Sequence, residues 1–130
     1  MSEPIPVFIS ALQNKIRGDV YHDPLMLGMY STDASVYQIM PLAVVCPLDE
    51  EDVIQTMAIA QTYRVPILPR GGGTSLAGQT IGEAIVLDFS KYMNSILLLD
   101  IHEVIVQPGV IRHQLNQFLK SKGLEFAPDP

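Results

Sequence analysis

Tryptophan is absent, cysteine occurs once, and lysine and arginine together number only 8 in a chain of 130 residues. Each shortage removes a class of function. The single thiol, Cys46, can form no intrachain disulfide and no multi-cysteine metal centre. With 14 acidic residues the formal net charge is -6, so the chain is poorly equipped to neutralise the phosphates on which nucleic-acid binding depends. No apolar run reaches the roughly 20 residues of a membrane-spanning helix, and Met1-Ser2-Glu3-Pro4 lacks the basic start of a secretion signal. A cytoplasmic protein is the expectation, with no nucleic acid as partner and no transmembrane segment; nothing in the sequence bears on oligomeric state. What is present, 48% hydrophobic and 17% charged residues, suits one compact domain. At this size, folding buries roughly two-thirds of the extended surface.

Periodicity predicts the elements. Ile5, Phe8, Ile9, Leu12 and Ile16 recur at helical spacing, with Gly18 placed to end the helix. Asp23-Pro24 starts a shorter helix carrying Leu25, Leu27, Met29 and Tyr30, with Asp33 as a cap or stop. Ala43-Val44-Val45-Cys46 reads as a strand. Asp49 is the N-cap of a helix over residues 50–63, and Glu50, Glu51 and Asp52 suit its positive end. Its apolar residues Val53, Ile54, Met57, Ala58 and Ala60 are expected to face inward. Val65 to Pro69 is a second strand, parallel to the first if the helix between them is a right-handed crossover. Ala84 to Asp88 is a third strand, 95–99 and 104–107 form a hairpin, and 110–120 form a helix with Ile111, Leu115, Phe118 and Leu119 inward, stopped near Gly123. Met26, Met29, Met40 and Met57 are expected to fill the core, and Cys46 to be an inert buried thiol.

Between the second and third strands lies Pro69-Arg70-Gly71-Gly72-Gly73-Thr74-Ser75-Leu76-Ala77-Gly78-Gln79-Thr80, which holds four of the chain's 9 glycines. Adjacent glycines lose more backbone freedom on ordering than other residues, so a run of three needs a reason. One reason is close approach: bare main-chain N–H groups can converge on an anion without help from many cations. The position agrees, because open α/β sheets bind ligands beyond the carboxyl ends of their strands. A tight turn is the plainer alternative, though a turn alone seldom needs three glycines.

Spacing separates the phosphate motifs. The dinucleotide fingerprint would need glycine at 76, where Leu76 stands, and a helix directly afterwards. The P-loop is better imitated by Gly73 to Thr80, but Gln79 replaces its lysine and Ile81 to Val86 favours a turn and a strand. A nucleotide hydrolase with a degenerate P-loop and a non-catalytic, ligand-free scaffold stand as alternatives.

The run Arg70 to Gln79, preceded by Pro66-Ile67-Leu68-Pro69, resembles the pyrophosphate loop of FAD-linked oxidases of the vanillyl-alcohol oxidase (PCMH-type) family, in the D-lactate dehydrogenase and glycolate oxidase FAD-subunit branch. Tyr30-Ser31-Thr32-Asp33-Ala34-Ser35, Pro41, Val44-Val45-Cys46-Pro47, Asp52-Val53, Leu87-Asp88 and Gln107-Pro108-Gly109-Val110 fall in the order that branch shows. The likeness spans most of residues 20–130. It implies an α/β (α+β) fold, the N-terminal part of a PCMH-type FAD-binding domain: a β-α-β subdomain over about 1–92, then the start of a second, antiparallel subdomain over 93–130. It implies FAD as cofactor, gripped by Gly71, Gly72, Gly73, Thr74 and Ser75, with Gly78, Gln79 and Thr80 closing the far side. It further implies an FAD-dependent oxidoreductase acting on a 2-hydroxy acid such as D-lactate or glycolate in a longer protein. This chain is expected to be a fragment of that protein, inactive alone, with no assignable catalytic residue and no metal. Arg70 could approach a phosphate or pair with a surface carboxylate. His22, His102 and His113 are read as solvated turn or helix positions.

Overall fold

The computed structural model describes residues 4–75 and 78–127; Leu76 and Ala77 of the glycine loop, and the terminal residues 1–3 and 128–130, lie outside it. A four-stranded sheet carries the fold, in the order β1 (Asp19–Tyr21), β2 (Ala43–Cys46), β4 (Ile85–Asp88), β3 (Ile67–Arg70). β4 pairs parallel with both β2 and β3, and β1 runs antiparallel at one edge. A separate antiparallel hairpin joins β5 (Ile96–Leu99) to β6 (Val104–Val106).

β2 and β4 are buried at every position, as strands covered on both faces must be. On one face Ala43, Val45, Ile85 and Leu87 pack with Ile9, Leu12 and Ile16 from α1 (Val7–Lys15) and its end, and with Ile59 and Ala60 of α3 (Glu50–Tyr63). On the other, Val44, Cys46 and Val86 meet Leu27 of α2 (Pro24–Met29), with Tyr30 beside them. Two N-caps act as the sequence indicates: Asp23 accepts from Met26 N and Asp49 from Asp52 N. The last helix is α4 (Arg112–Lys120), and Gly123 beyond it has the left-handed φ of 72°. Among the described residues no helix is long and apolar enough to cross a membrane.

Several side chains depart from expectation. The buried face of α3 is Asp52, Thr56, Ile59 and Ala60, while Ile54, Met57 and Ala58 are exposed. The cause is polar: Asp52, 1% exposed, accepts from the backbone N–H groups of Arg17, Gly18 and Leu48, and Thr56 Oγ1 donates to Asp52 O. Full satisfaction lets these residues occupy a core position that apolar ones were expected to take. Gly18 does not end α1, which stops at Lys15 with Ile16 as its C-cap; it faces β2 so closely that a Cβ would lie 2.1 Å from Cys46 O. Leu25, Met29, Met40, Ile111 and Phe118 are exposed, and Met93 is a buried methionine.

Candidate functional site

The glycine loop leaves the carboxyl end of β3 and returns along the sheet to enter β4, since Ile85 pairs with Ile67 and Asp88 with Arg70. No helix follows Thr80; residues 81–84 lead straight into β4. A P-loop's phosphate-facing helix therefore has no counterpart here.

The loop's four glycines are of two kinds. Gly73 and Gly78 have φ of 70° and 72°, so the chain's own path requires them. Gly71 and Gly72 are not left-handed, and among the described residues a Cβ would come no nearer than 3.9 Å to Pro108 O at Gly71 and 3.7 Å to Thr74 Cγ2 at Gly72. The fold itself would accept alanine at both. Among the described residues, moreover, the N–H groups of Gly71, Gly72, Gly73 and Thr74 donate to no partner. Consecutive unpaired donors on backbone bare of side chains have the composition of an anion nest.

The far side of the loop is tied down. Ser75 Oγ donates to Gln79 Oε1 at 2.9 Å and accepts from Gln79 N at 3.3 Å. Thr80 donates through Oγ1 at 2.9 Å and through N at 3.3 Å to Asp33 Oδ2. Asp33 Oδ1 accepts from Ser35 N, and the bonds from Ser35 and then Thr80 hold this carboxyl down at about 2. Asp33 is therefore not the stop of α2 but a partner of the loop. Among the described residues Arg70 pairs with no surface carboxylate: its guanidinium lies over the Tyr30 ring, 5.1 Å from the centroid, and reaches Tyr30 O and Thr80 O, both at 3.4 Å. It also fills the space a Cβ on Gly73 would need, with Nη2 2.6 Å away.

Beneath Arg70, Tyr30 donates its hydroxyl to Asp88 Oδ2 at 2.5 Å, and Ser90 donates N and Oγ to Asp88 Oδ1. Burial, and then the Asp88 carboxylate, push the Tyr30 hydroxyl far above its ordinary pKa, so it stays a donor. Burial and the Asp88 charge also raise the Cys46 thiol to about 11, which leaves it no nucleophile at neutral pH. The turn after β4 is gripped by Gly109, where a Cβ would lie 2.2 Å from Phe89 O, and whose N donates to Met93 O at 2.8 Å. That contact sets Pro108 beside Gly71. The turn over 100–103 is local, with Asp100 Oδ1 accepting from His102 N and Glu103 N. His102 and His113 are exposed, and among the described residues no group of three or more His, Cys, Asp or Glu gathers to hold a metal.

Comparison with solved structures shows the fold. An alkyldihydroxyacetonephosphate synthase structure matches with a TM-score of 0.82 at 23% identity, over 98% of this chain and 27% of the other. A 4-ethylphenol oxidase from Gulosibacter chungangensis matches with a TM-score of 0.72 at 23% identity, over 95% and 25%. A p-cresol methylhydroxylase structure matches at 0.70 and 19% identity, over 90% and 24%. The fold is thus that of PCMH-type FAD-binding domains. Among curated relatives, D-2-hydroxyglutarate dehydrogenase of Pseudomonas putida is 42% identical over 95% of this chain. Glycolate oxidase subunit GlcD of Bacillus subtilis is 43% identical over 78%, and mitochondrial D-lactate dehydrogenase [cytochrome] of Kluyveromyces lactis 41% over 69%. The chain spans 13%, 23% and 17% of the lengths of these three relatives. Residues 41–130, which include the whole loop, match the FAD binding domain family. With two-thirds of its length matched and its bare-backbone loop inside that span, the chain belongs to the FAD binding domain family, and FAD is its cofactor.

Proposed function

We propose that this chain supplies the diphosphate-holding loop of an FAD-dependent oxidoreductase acting on a 2-hydroxy acid of the D-lactate, glycolate or D-2-hydroxyglutarate type. The single observation that carries the assignment is the pair Gly71 and Gly72: neither their φ angles nor their neighbours among the described residues call for glycine, while their N–H groups lack partners there. A cradle that a Cβ would fill accounts for both. The N–H groups of Gly71, Gly72, Gly73 and Thr74 would bind the diphosphate, Ser75 would follow them at the rim with its hydroxyl on Gln79, and Gly78, Gln79 and Thr80 would close the far side. A hydrogen bond to a charged acceptor contributes about 1.5–3 kcal/mol, so several amides suffice without a lysine. FAD supplies the two-electron oxidation; the residues of this chain bind and orient it. The substrate class rests on the names of the relatives. We also take residues 1–92 and 93–130 as the first subdomain and the start of the second.

Gly72→Ala in the full-length protein tests the assignment. The variant should melt, flavin-free, within a few degrees of the parent, yet bind FAD at least about tenfold more weakly, the loss of one charge-assisted bond. An FAD affinity of flavin-free Gly72→Ala equal to the parent's would refute it. ATP titrations with and without magnesium address the hydrolase alternative, which requires magnesium-dependent binding.

A further inference from the structure

The segment from Tyr30 to Ser35 touches the loop at both ends. At the entering end Arg70 lies over the Tyr30 ring and reaches Tyr30 O. At the closing end the same guanidinium reaches Thr80 O, while Thr80 turns both its N–H and its hydroxyl to one oxygen of Asp33, a residue 47 positions away in the chain. The other Asp33 oxygen accepts from Ser35 N, which fixes the carboxylate on its own turn.

An anion here is a liability as well as a tie. A carboxylate next to a loop that receives a diphosphate keeps its negative charge and repels the ligand, so its value there has to lie in the bonds it makes. Asp33 spends both oxygens, one on its own turn and one on Thr80, and in doing so takes the two Thr80 donors away from the phosphates. Those donors therefore serve the shape of the loop, with Ser75 and Gln79 bonded to each other just before them. Resting on the reading of the loop as the FAD cradle, we infer that Asp33 is a positioning residue for cofactor binding: through Thr80 it holds the closing end of the loop in the receptive shape before FAD arrives. Asp33 touches no phosphate itself. Preorganisation of this kind appears as affinity, because the ordering is done before binding.

The test is a double-mutant cycle in the flavin-free full-length protein, with FAD affinity read from quenching of flavin fluorescence and melting temperature measured alongside. Asp33→Ala and Thr80→Val should each weaken FAD binding about tenfold, and the double variant should be no weaker than the worse single one. Thr80→Ser, which restores a hydroxyl, should recover most of the affinity lost in Thr80→Val. The flavin-free proteins should melt within a few degrees of the parent. Losses that multiply in the double variant would mean that Asp33 acts without Thr80, and would overturn the inference. So would a loss below about twofold in Asp33→Ala, or a flavin-free Asp33→Ala or Thr80→Val that fails to fold, which would make the role purely structural. Gly72→Ala separates the two levels. If it binds FAD normally, the cradle reading and this inference fall together; if it weakens FAD while the Asp33 and Thr80 variants do not, only the inference falls.

Discussion

Replacing Asp52 should cost this protein a large part of its stability, and the cost should depend on pH. The carboxylate is 1% exposed and accepts three backbone bonds, from Arg17 N at 2.9 Å, Gly18 N at 2.8 Å and Leu48 N at 2.9 Å. They join the turn after α1 to the turn before α3. Burial alone would raise the pKa, but the donors of Arg17, Leu48 and Gly18 outweigh it and hold the group below the usual carboxylate range. Asp52→Ala leaves three donors to find water, which is within reach because Arg17 and Leu48 are exposed. We therefore take the cost as about 3–4 kcal/mol, below the full value of three charge-assisted bonds. Asp52→Asn keeps one acceptor oxygen and turns an NH2 group towards the remaining donor, for about 2 kcal/mol. Because the folded pKa is depressed, the stabilisation is complete above the unfolded value near 3.9 and fades as pH falls through the folded one. Urea unfolding of parent and Asp52→Asn between pH 7 and pH 3 should show a gap that narrows on acidification. Equal stabilities at pH 7, or a gap that does not change with pH, would refute the reasoning.

Two further outcomes follow from single residues. Cys46, 1% exposed and with its thiol raised to about 11, should resist a thiol-specific reagent at pH 8 and react only as the protein unfolds; stoichiometric labelling of the native state would contradict this. Arg64, the C-cap of α3, adopts φ 54°, a conformation glycine takes without its Cβ penalty, so Arg64→Gly should raise stability by about 0.5–1 kcal/mol in the same unfolding assay, and a loss of that size would refute the strain argument.

The sequence was legible where a local pattern carries the physics. Asp49 and the acidic turn after it mark the start of α3, and Asp23-Pro24 marks that of α2, because capping needs only neighbouring residues. The buried face of α3 was not legible: counting apolar residues put Ile54 and Met57 inside, whereas Asp52 and Thr56 are there, satisfied by partners from other segments. β1 escaped notice because three half-buried residues at a sheet edge have no period to detect. The place of β4 between β2 and β3 lay equally out of reach, since order along a chain does not give order across a sheet. In the candidate site the glycines could be read, and so could the family they resemble. The partnership of Thr80 with Asp33 could not, although Asp33 stood inside a motif already noted; a contact across 47 residues leaves no local trace.

The strand order has a consequence for how the molecule forms. β2 and β3 are made first, yet neither has a parallel partner until β4, the last strand of that sheet, takes its place between them. During synthesis the two strands wait with open edges while the glycine loop is threaded from one end of the sheet to the other, and only the arrival of residues 85–88 closes the gap. The contacts that complete the sheet are thereby non-local, and until β4 emerges β2 and β3 each present an unpaired edge to other chains.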